Sequence, residues 1–453
     1  MTGSETYAVQ RVGGSERIAS LDVLRGIAIL FILFMNVAWM MGYGPFVRDP
    51  RVVSWTPFDQ GAFSFMFMLN GTQRGLLELL FGAGIMIMAR SAMHPDGPVA
   101  VADLHYRRNW LLVVLGLFNA LVLLWSGDIL LPYGLTALLL FQFRLLSWRW
   151  QLAFAGLFLA LTLVSPLHDY RDRVEAKSAA AQVVQLKAAH KPVPDELKAK
   201  ADEWDKAVKA QVPIAGNPEK QKQVAKIHAA RTGSLPVYAK SVWADWLELY
   251  DDSLGNLWLF SEIAATMLIG MALFRLGIIQ GAASPGIYLA MLVVGYGVGI
   301  TMRVAGLNEV FAFNANPKTF WLTGDISRIA VTLGHVGLIQ LALTSRVGLF
   351  LLKPFQAAGK IPLTTYLFTS FLMMWVLMPG FGFGLQGRWG WGGMITLAAI
   401  VIAAEIVATN LWLRWYETGP MEWIWKSLAY QRRMPFRRRP AEPNLPPGLV
   451  PAE

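Results

Sequence analysis

The sequence predicts an all-α membrane protein, a polytopic bundle of about ten transmembrane helices with both termini in the cytoplasm. Of its 453 residues, 55% are hydrophobic and only 15% are charged, whereas soluble domains carry about 25% charged residues. The mean hydropathy is +0.42. Apolar runs of about 20 residues, the length that crosses a bilayer as a helix, recur along the chain.

Ten apolar spans are predicted, five on each side of a long hydrophilic segment. A further apolar segment, 57–71, is short for a span and is predicted to lie on the membrane surface or to re-enter the membrane. The predicted spans are 21–42, 72–91, 109–126, 129–145, 148–166, 256–276, 284–303, 321–344, 361–380 and 393–414. The predicted domains are a first transmembrane half (1–166), an external hydrophilic helical loop (167–254), a second transmembrane half (255–414) and a basic cytoplasmic tail (415–453).

Basic residues set the predicted orientation. With ten spans, one group of basic residues near the span ends falls on the side of the two termini, and an excess of Arg and Lys marks the cytoplasmic side. These residues are Arg17, Arg25, Arg90, Arg107, Arg108, Arg144, Arg149, Arg275, Arg346, Lys353 and the stretch Arg432–Arg439. The net charge of +10 therefore indicates membrane topology. We interpret the basic tail as a contact with anionic lipid and expect no nucleic-acid partner.

Several site classes are excluded by what the chain lacks. It contains no cysteine, which excludes thiol catalysis, disulfides and thiolate metal sites. The first apolar run follows about twenty polar residues and lacks a small-residue cleavage pattern, so no cleavable signal peptide is expected. Phosphate-binding loops, zinc-protease motifs and hydrolase elbows are absent, and we expect no metal site.

The long segment 167–254 is rich in Lys, Ala, Asp and Glu. Because long loops translocate largely regardless of their charge, we place this one outside. Its stretches AKSAAAQVVQLKAA and DELKAKADEWDKAVKAQ have helix-forming composition. They are predicted to form amphipathic helices that cap the outer mouth of the bundle, and the simplest interpretation is a solvated cap without chemistry.

Asp22, Arg25 and Asn36 place polar groups on one face of the first span. Arg25 and Asn36 are 11 residues apart, about three helical turns and roughly 16 Å. Polar groups inside a membrane usually face a protein interior or a water-filled cavity. The alternatives are that Asp22 caps the helix start and that Asn36 bonds to a neighbouring helix.

The second span contains Arg74 and Glu78 at a spacing that allows an ion pair. A carboxylate within the membrane is a functional candidate, and Glu78 could serve as a general acid or base; a purely structural pair is the alternative. Gly82 and Gly84 are predicted to permit close helix packing. Asp128 is predicted in a short external turn, where it could contribute to the site or only cap the next helix.

The eighth span contains Asp325, Arg328 and His335. Arg328 and His335 are seven residues apart and share a helix face. His335 is the one histidine within a predicted span, and therefore a candidate acyl acceptor or base; a structural histidine is the alternative. Glu262, Glu405, Thr409 and Asn410 rank lower because polar groups commonly pack between membrane helices.

Six stretches in order resemble the YeiB-type family of bacterial membrane proteins. The resemblance implies placement in the transmembrane acyltransferase superfamily, with heparan-alpha-glucosaminide N-acetyltransferase among the relatives. The stretches are LDVLRG (21–26) with Asn36, LLFGAG (79–84), GDIL..YGL (127–135), MLIGMALFRLG (267–277), GKIPLTTYL (359–367) and GPMEWIWKSL (419–428).

The resemblance implies a ten-helix core in the bacterial inner membrane that moves an acyl group from cytoplasmic acyl-CoA, with acetyl-CoA the expected donor, to an acceptor across the membrane. Asp22 and Arg25 would then bind the donor. Those acetyltransferases carry a catalytic histidine soon after the first helix, whereas 42–71 contains none here. Glu78 or His335 would therefore be the base.

The leading hypothesis is a membrane acyltransferase. A polar channel past Asn36 would lead to an outward site that binds a sugar or a lipid-linked acceptor. The predicted catalytic residues are Glu78, His335, Asn36 and Asp128, and the predicted substrate-binding residues are Arg74, Asp325 and Arg328. One alternative is a transporter or flippase with the same charges along its path. Another is a non-catalytic partner of envelope proteins, and membrane lipid and a second copy of the chain are further candidate partners.

Overall fold

The protein forms a bundle of α-helices, seen in a computed structural model that describes residues 19–41, 50–51, 54–89 and 99–438. Within these segments the regular elements are helical, and the prediction of an all-α membrane bundle is confirmed. Arg17, Arg90, Arg439 and both chain termini lie outside the described residues.

The helices are α1 (Ala19–Met40), α2 (Pro57–Leu69), α3 (Thr72–Met88), α4 (Val99–Leu121), α5 (Leu130–Leu140), α6 (Trp148–Leu161), α7 (Val164–Ala188), α8 (Asp195–Lys209), α9 (Pro218–Thr232), α10 (Leu235–Asp251), α11 (Ser253–Arg275), α12 (Pro285–Phe311), α13 (Phe320–Leu343), α14 (Arg346–Leu352), α15 (Phe355–Lys360), α16 (Pro362–Phe371), α17 (Trp391–Trp415) and α18 (Pro420–Ala429).

Six helical stretches in the described part of the chain are long and apolar enough to cross a membrane. They are α1, the α6–α7 pair, α11, α12, α13 and α17. Two shorter apolar stretches are α5, which a 3₁₀ turn extends to Leu145, and α16, which a π-helical segment extends to Leu377. With α3 and α4, these helices account for each of the predicted spans. The chain is therefore a multi-pass membrane protein.

Contacts between helix ends are consistent with the predicted alternation of the spans. Arg25 in α1 donates to the Gly359 carbonyl of α15. Arg275, at the end of α11, donates to the Arg144 carbonyl after α5. All of these residues fall on the predicted cytoplasmic side, which we call the inner side.

The short apolar segment at 57–71 forms α2 and does not span the bundle. Thr56 and Asp59 form a capping box at its start. Asp59 also accepts from the Gly392 amide at 3.0 Å, which ties α2 to α17. Burial opposes ionisation of Asp59, but the hydrogen bonds from Gly392, Ser54 and Thr56 outweigh burial and hold its pKa below the usual value.

The long hydrophilic segment contains α7 to α10. The two predicted helices are present, as the end of α7 and as α8, whereas α9 and α10 were not predicted. Trp243 of α10 donates its indole N–H to the Leu121 carbonyl at the end of α4, at 3.0 Å. The Gly380 amide donates to the Arg231 carbonyl of α9 at 3.4 Å. These contacts join the segment to the ends of α4 and α16 opposite the inner side.

Gly82 brings α3 against α11, as predicted, but Gly84 has a different environment. A Cβ on Gly82 would lie 1.9 Å from the Met267 carbonyl oxygen, whereas a Cβ on Gly84 would meet nothing within 4 Å. The prediction that both glycines serve packing is therefore wrong for Gly84, which lines a cavity.

We expect Gly82→Ala to destabilise the protein by about 1–3 kcal/mol because the methyl group forces α3 and α11 apart. Gly84→Ala, two residues away on the same helix, is the matched control and should be neutral or slightly stabilising. Thermal unfolding in detergent measures both variants. Equal melting temperatures would show that the α3–α11 contact is not tight.

Candidate functional site

A cavity of about 290 Å³ lies among α1, α3, α4, α5, α16 and α18. Its walls are mainly apolar and aromatic. Its polar lining includes His105, Asn109 and Glu422 as well as two further groups at opposite ends. The end at the inner side has Arg25, Arg108, Lys360 and Lys426, and the opposite end has Tyr133 and Tyr366. The cavity therefore combines a basic mouth with a hydroxyl-bearing end inside the bundle.

Close helix packing builds the basic mouth. A Cβ on Gly359 would lie 1.7 Å from the Asp22 carbonyl oxygen, so α1 and α15 touch through their backbones. This contact brings Lys360 beside the first turns of α1. Arg25 donates to the Asp22 carboxylate at 3.3 Å and to the Gly359 carbonyl at 3.2 Å. Asp22 therefore positions Arg25, and Arg25 itself lines the cavity.

Helix α18 forms part of the same mouth. The Arg108 guanidinium lies 4.4 Å from the centre of the Trp425 ring, and the Trp425 indole donates to the Arg108 carbonyl at 3.0 Å. Lys426 follows on the same helix. Because a cation over an aromatic face is attracted to the ring, Trp425 helps to keep Arg108 at the mouth.

Glu422 of α18 caps the start of α16. Its carboxylate accepts from the Leu363 amide at 2.5 Å and the Thr364 amide at 3.0 Å. Burial raises the pKa of Glu422 above the usual value, and the hydrogen bonds from Thr364 and Leu363 oppose that shift. A carboxylate at a helix N-terminus satisfies otherwise unpaired amides. Glu422 thus fixes α18 against the helix that carries Tyr366.

Two tyrosines, each beside a predicted carboxylate, form the end of the cavity opposite the basic mouth. The Tyr133 hydroxyl donates to Glu78 at 3.1 Å, and the Tyr366 hydroxyl accepts from the Ile129 amide at 3.2 Å and also bonds to Asp128. The lining of this cavity includes neither Glu78 nor Asp128. The two carboxylates therefore reach the cavity through tyrosine hydroxyls.

Asp128 lies in the predicted turn between α4 and α5, but its side chain is buried within the bundle. Its side chain is buried and accepts from Asn119 at 2.7 Å and from the Leu131 amide at 2.9 Å. A Cβ on Gly116, more than one turn before the end of α4, would lie 2.6 Å from its Oδ2. The chain after α4 therefore folds back between the helices before α5 begins.

A buried charge cluster lies behind Tyr133. Arg328 contacts Glu78 at 3.1 Å and also contacts Glu262, and Arg74 contacts Glu262 at 2.9 Å and Glu78 at 3.4 Å. Asp325 lies 3.7 Å from Arg328. The predicted Arg74–Glu78 pair is therefore one edge of a larger network on α3, α11 and α13. Each buried charge has an opposite partner, as burial in low dielectric requires.

Polar side chains extend this cluster along α11. Trp258 donates to Asp325 at 2.8 Å, and Thr266 accepts from Arg328 at 3.0 Å. The Arg74 side chain keeps 17% of its surface exposed, whereas Glu78 and Glu262 are fully buried. Arg74, Trp258 and Asp325 thus form the more open edge of the cluster, beside the N-terminal part of α11.

His335 is held by two hydroxyl groups. Its Nδ1 lies 2.6 Å from the Tyr296 hydroxyl, and its Nε2 lies 3.1 Å from the Thr72 hydroxyl. The cavity lining does not include it. With both ring nitrogens engaged, His335 joins α12, α13 and α3 and is not placed to act as the base at this cavity.

Asn36 is buried on α1, but the cavity meets α1 only at Arg25 and Ile29. The described residues therefore do not form the expected polar channel along the Arg25–Asn36 face. The cavity instead turns toward α3, α4 and α5.

Sequence reasoning missed several residues that line the cavity together with Arg25. Tyr133, Lys360, Tyr366, Trp425 and Lys426 all lie within stretches that carry the family resemblance, so that signal was available. Glu262 was ranked low, although it contacts both arginines of the cluster. In the described segments no three His, Asp or Glu side chains are grouped to hold a metal ion.

Comparison with known proteins finds relatives of the whole chain. Residues 273–432 match a family described as "Protein of unknown function (DUF418)". The chain is 26% identical over 449 residues to the uncharacterized protein YxaH of Bacillus subtilis (strain 168), covering 94% of this chain and 97% of that protein. It is also 26% identical over 426 residues to the uncharacterized protein YeiB of Escherichia coli (strain K12), covering 93% and 98%. The resemblance to YeiB-type proteins is therefore confirmed.

Proposed function

We propose that this relative of the YeiB-type proteins is an acyltransferase of the bacterial inner membrane, which moves an acyl group from cytoplasmic acyl-CoA to a sugar or lipid-linked acceptor at the outer face. The observation that carries the proposal is the cavity, because it links a mouth of four basic side chains to a pair of tyrosine hydroxyls inside the bundle.

The mouth suits the phosphates of the donor. Arginine and lysine bind phosphate through charge-assisted hydrogen bonds, and Arg25, Arg108, Lys360 and Lys426 converge there. A polyanionic ligand would offset the positive potential that these four groups create at one opening. The predicted donor-binding role of Arg25 fits this position, with Asp22 as its positioning residue.

The apolar stretch of the cavity suits the extended arm and the acyl group of the donor. Its walls include Leu80, Phe81, Ile85 and Leu130, and Gly84 leaves space where any larger residue would project. Ligand sites that combine apolar walls with a few polar groups at defined points orient a ligand along one axis. The thioester would then reach Tyr133 and Tyr366.

Tyr133 and Glu78 provide a route for a proton. The Tyr133 hydroxyl donates to Glu78, so its oxygen can accept a proton from the acceptor's hydroxyl or amine. The acceptor oxygen or nitrogen then attacks the thioester carbonyl carbon, and the carbon–sulfur bond breaks. The proton passes through Tyr133 to Glu78 and returns to the departing sulfur, which leaves as the thiol of coenzyme A.

The acceptor would approach from the edge of the charge cluster that is most open. Arg74 and Asp325 keep part of their surface exposed there, and Trp258 lies between them. Arg328, enclosed by three carboxylates, would position Glu78 and would not touch the acceptor. The sequence predicts substrate binding for Arg74, Asp325 and Arg328 alike. The difference in burial instead favours acceptor contact by Arg74 and Asp325 and a positioning role for Arg328.

We expect Tyr133→Phe to retain acyl-CoA binding and to lose at least about 10²-fold in turnover, because the proton route is removed while the ring stays. Acetyl-CoA and longer acyl-CoAs are incubated with the purified protein in nanodiscs, and released thiol is measured. Tyr296→Phe is the matched control because it removes a hydroxyl that contacts His335 outside the cavity.

Unchanged turnover in Tyr133→Phe, or a large loss in Tyr296→Phe, would contradict the assigned route. Absence of acyl-CoA binding by folded protein, together with acyl-CoA-independent uptake of a polar solute into proteoliposomes, would favour a transporter instead.

A further inference from the structure

We infer that the tail segment, residues 430–438, binds the anionic phospholipid headgroups of the surrounding bilayer and thereby holds α18 at the mouth of the cavity. The inference rests on three neighbouring features: the exposed arginines of the tail segment, the end of α17, and α18, which lines the cavity. It concerns a lipid contact that the proposed acyl transfer does not require.

Backbone hydrogen bonds fix the tail segment beside the inner end of the last spanning helix. The Glu417 amide donates to the Phe436 carbonyl at 2.9 Å, and the Arg438 amide donates to the Trp415 carbonyl at 3.0 Å. Trp415 ends α17, which is one of the six membrane-length helices in the described part of the chain. The arginines of the tail segment are therefore held where a bilayer surface would lie.

An aromatic cluster anchors the same segment. The Phe436 ring packs at 4.8 Å from Tyr416 and 5.4 Å from Trp423, measured between ring centres. The Trp423 indole also donates to the Met434 carbonyl at 2.7 Å. Met434 is buried and Phe436 is half-buried, whereas the neighbouring arginines are exposed; these are Arg432, Arg433, Arg437 and Arg438.

The exposed groups match a lipid surface better than a nucleic acid. Arg414 and Trp415, the latter 62% exposed, lie at the end of α17 next to the tail segment. Tryptophan is enriched at the headgroup level of membranes, and clustered arginine there is attracted to anionic lipid. A nucleic acid would have to approach a surface that the end of a spanning helix keeps against the bilayer.

Contacts of α18 connect this surface to the cavity. Arg107 donates to the Ala429 carbonyl at 3.0 Å, and Trp425 and Lys426 line the mouth. The tail segment follows α18 directly and its Met434 amide donates to the Ser427 hydroxyl at 3.2 Å. A lipid contact that immobilises the tail segment therefore also immobilises α18.

The experiment uses maleimide labelling of the full chain with Ala429→Cys, a fully buried position in a protein without cysteine. Nanodiscs contain either phosphatidylcholine alone or phosphatidylcholine with phosphatidylglycerol. We expect labelling to be several-fold slower with phosphatidylglycerol. Replacing Arg432, Arg433, Arg437 and Arg438 by glutamine should abolish this protection. Replacing them by lysine should preserve it, which separates loss of charge from misfolding.

The matched control replaces Lys206, Lys209, Lys222 and Lys226 of α8 and α9 by glutamine and should keep the full lipid effect. Equal labelling rates in the two lipids, or protection that survives the four arginine-to-glutamine changes, would overturn the inference. Protection by a short DNA duplex in phosphatidylcholine nanodiscs, without any effect of phosphatidylglycerol, would assign the surface to nucleic acid and overturn it as well.

Discussion

Arg328→Met is expected to lower the free energy of unfolding by about 3–5 kcal/mol, because removing one partner leaves buried carboxylates without a counter-charge. Arg328 contacts Glu78, Glu262 and Asp325, whereas Arg74 contacts only the two glutamates of this cluster. Thermal unfolding in detergent, followed by tryptophan fluorescence, measures the loss. The double variant Arg328→Met/Glu262→Gln removes one charge of each sign and should recover part of it.

Arg346→Met is the matched control for this experiment. Arg346 begins α14 and is exposed, so the same chemical change there should alter stability by no more than about 0.5 kcal/mol. A small effect of Arg328→Met, similar to that of Arg346→Met, would mean that the buried network does not hold α3, α11 and α13 together.

Gly84→Trp is expected to abolish acyl-CoA binding while leaving the fold intact. A side chain at this position projects into the cavity without meeting a neighbouring atom within 4 Å of its Cβ. The indole would occupy space that the ligand needs. We expect a loss of at least about 3 kcal/mol in binding free energy, which corresponds to more than a hundredfold in affinity. Isothermal titration calorimetry with acetyl-CoA and longer acyl-CoAs measures the change.

Gly156→Trp is the control because it places the same large side chain on an exposed face of α6, where a Cβ also meets nothing within 4 Å. Its affinity should match that of the wild type. If Gly84→Trp binds acyl-CoA as tightly as the wild type does, the donor lies elsewhere.

Most of the fold could be predicted from the sequence because membrane spans are a composition signal. Each predicted span corresponds to a helix, and the short 57–71 segment is a separate helix with its own capping box. Helix α10 was missed because its tryptophans and leucines alternate with charged residues in a loop that appeared only hydrophilic. The reason for its apolar side chains is visible only in the structure, where α10 lies against the ends of the spans.

The site was harder to predict because helix periodicity describes one helix at a time. Arg74, Glu78, Asp325 and Arg328 were predicted as intramembrane charges, and the structure brings them together in one cluster. Glu262, the shared partner of Arg74 and Arg328, lies on another helix at no informative spacing. His335 was chosen because it is a lone histidine in a span, but only three-dimensional packing reveals that Tyr296 and Thr72 occupy both of its nitrogens.

The central claim, that the cavity between Arg25 and Tyr133 holds the acyl donor, is tested most directly by photo-crosslinking. An acyl-CoA with a diazirine at the end of its acyl chain would be irradiated with the purified protein in nanodiscs, and the modified residues would be identified by mass spectrometry. We expect adducts on Leu77, Phe81, Tyr133 or Tyr366, with loss of labelling in Gly84→Trp and on competition by unlabelled acyl-CoA. Saturable adducts confined to other helices, or labelling that Gly84→Trp does not reduce, would contradict the claim.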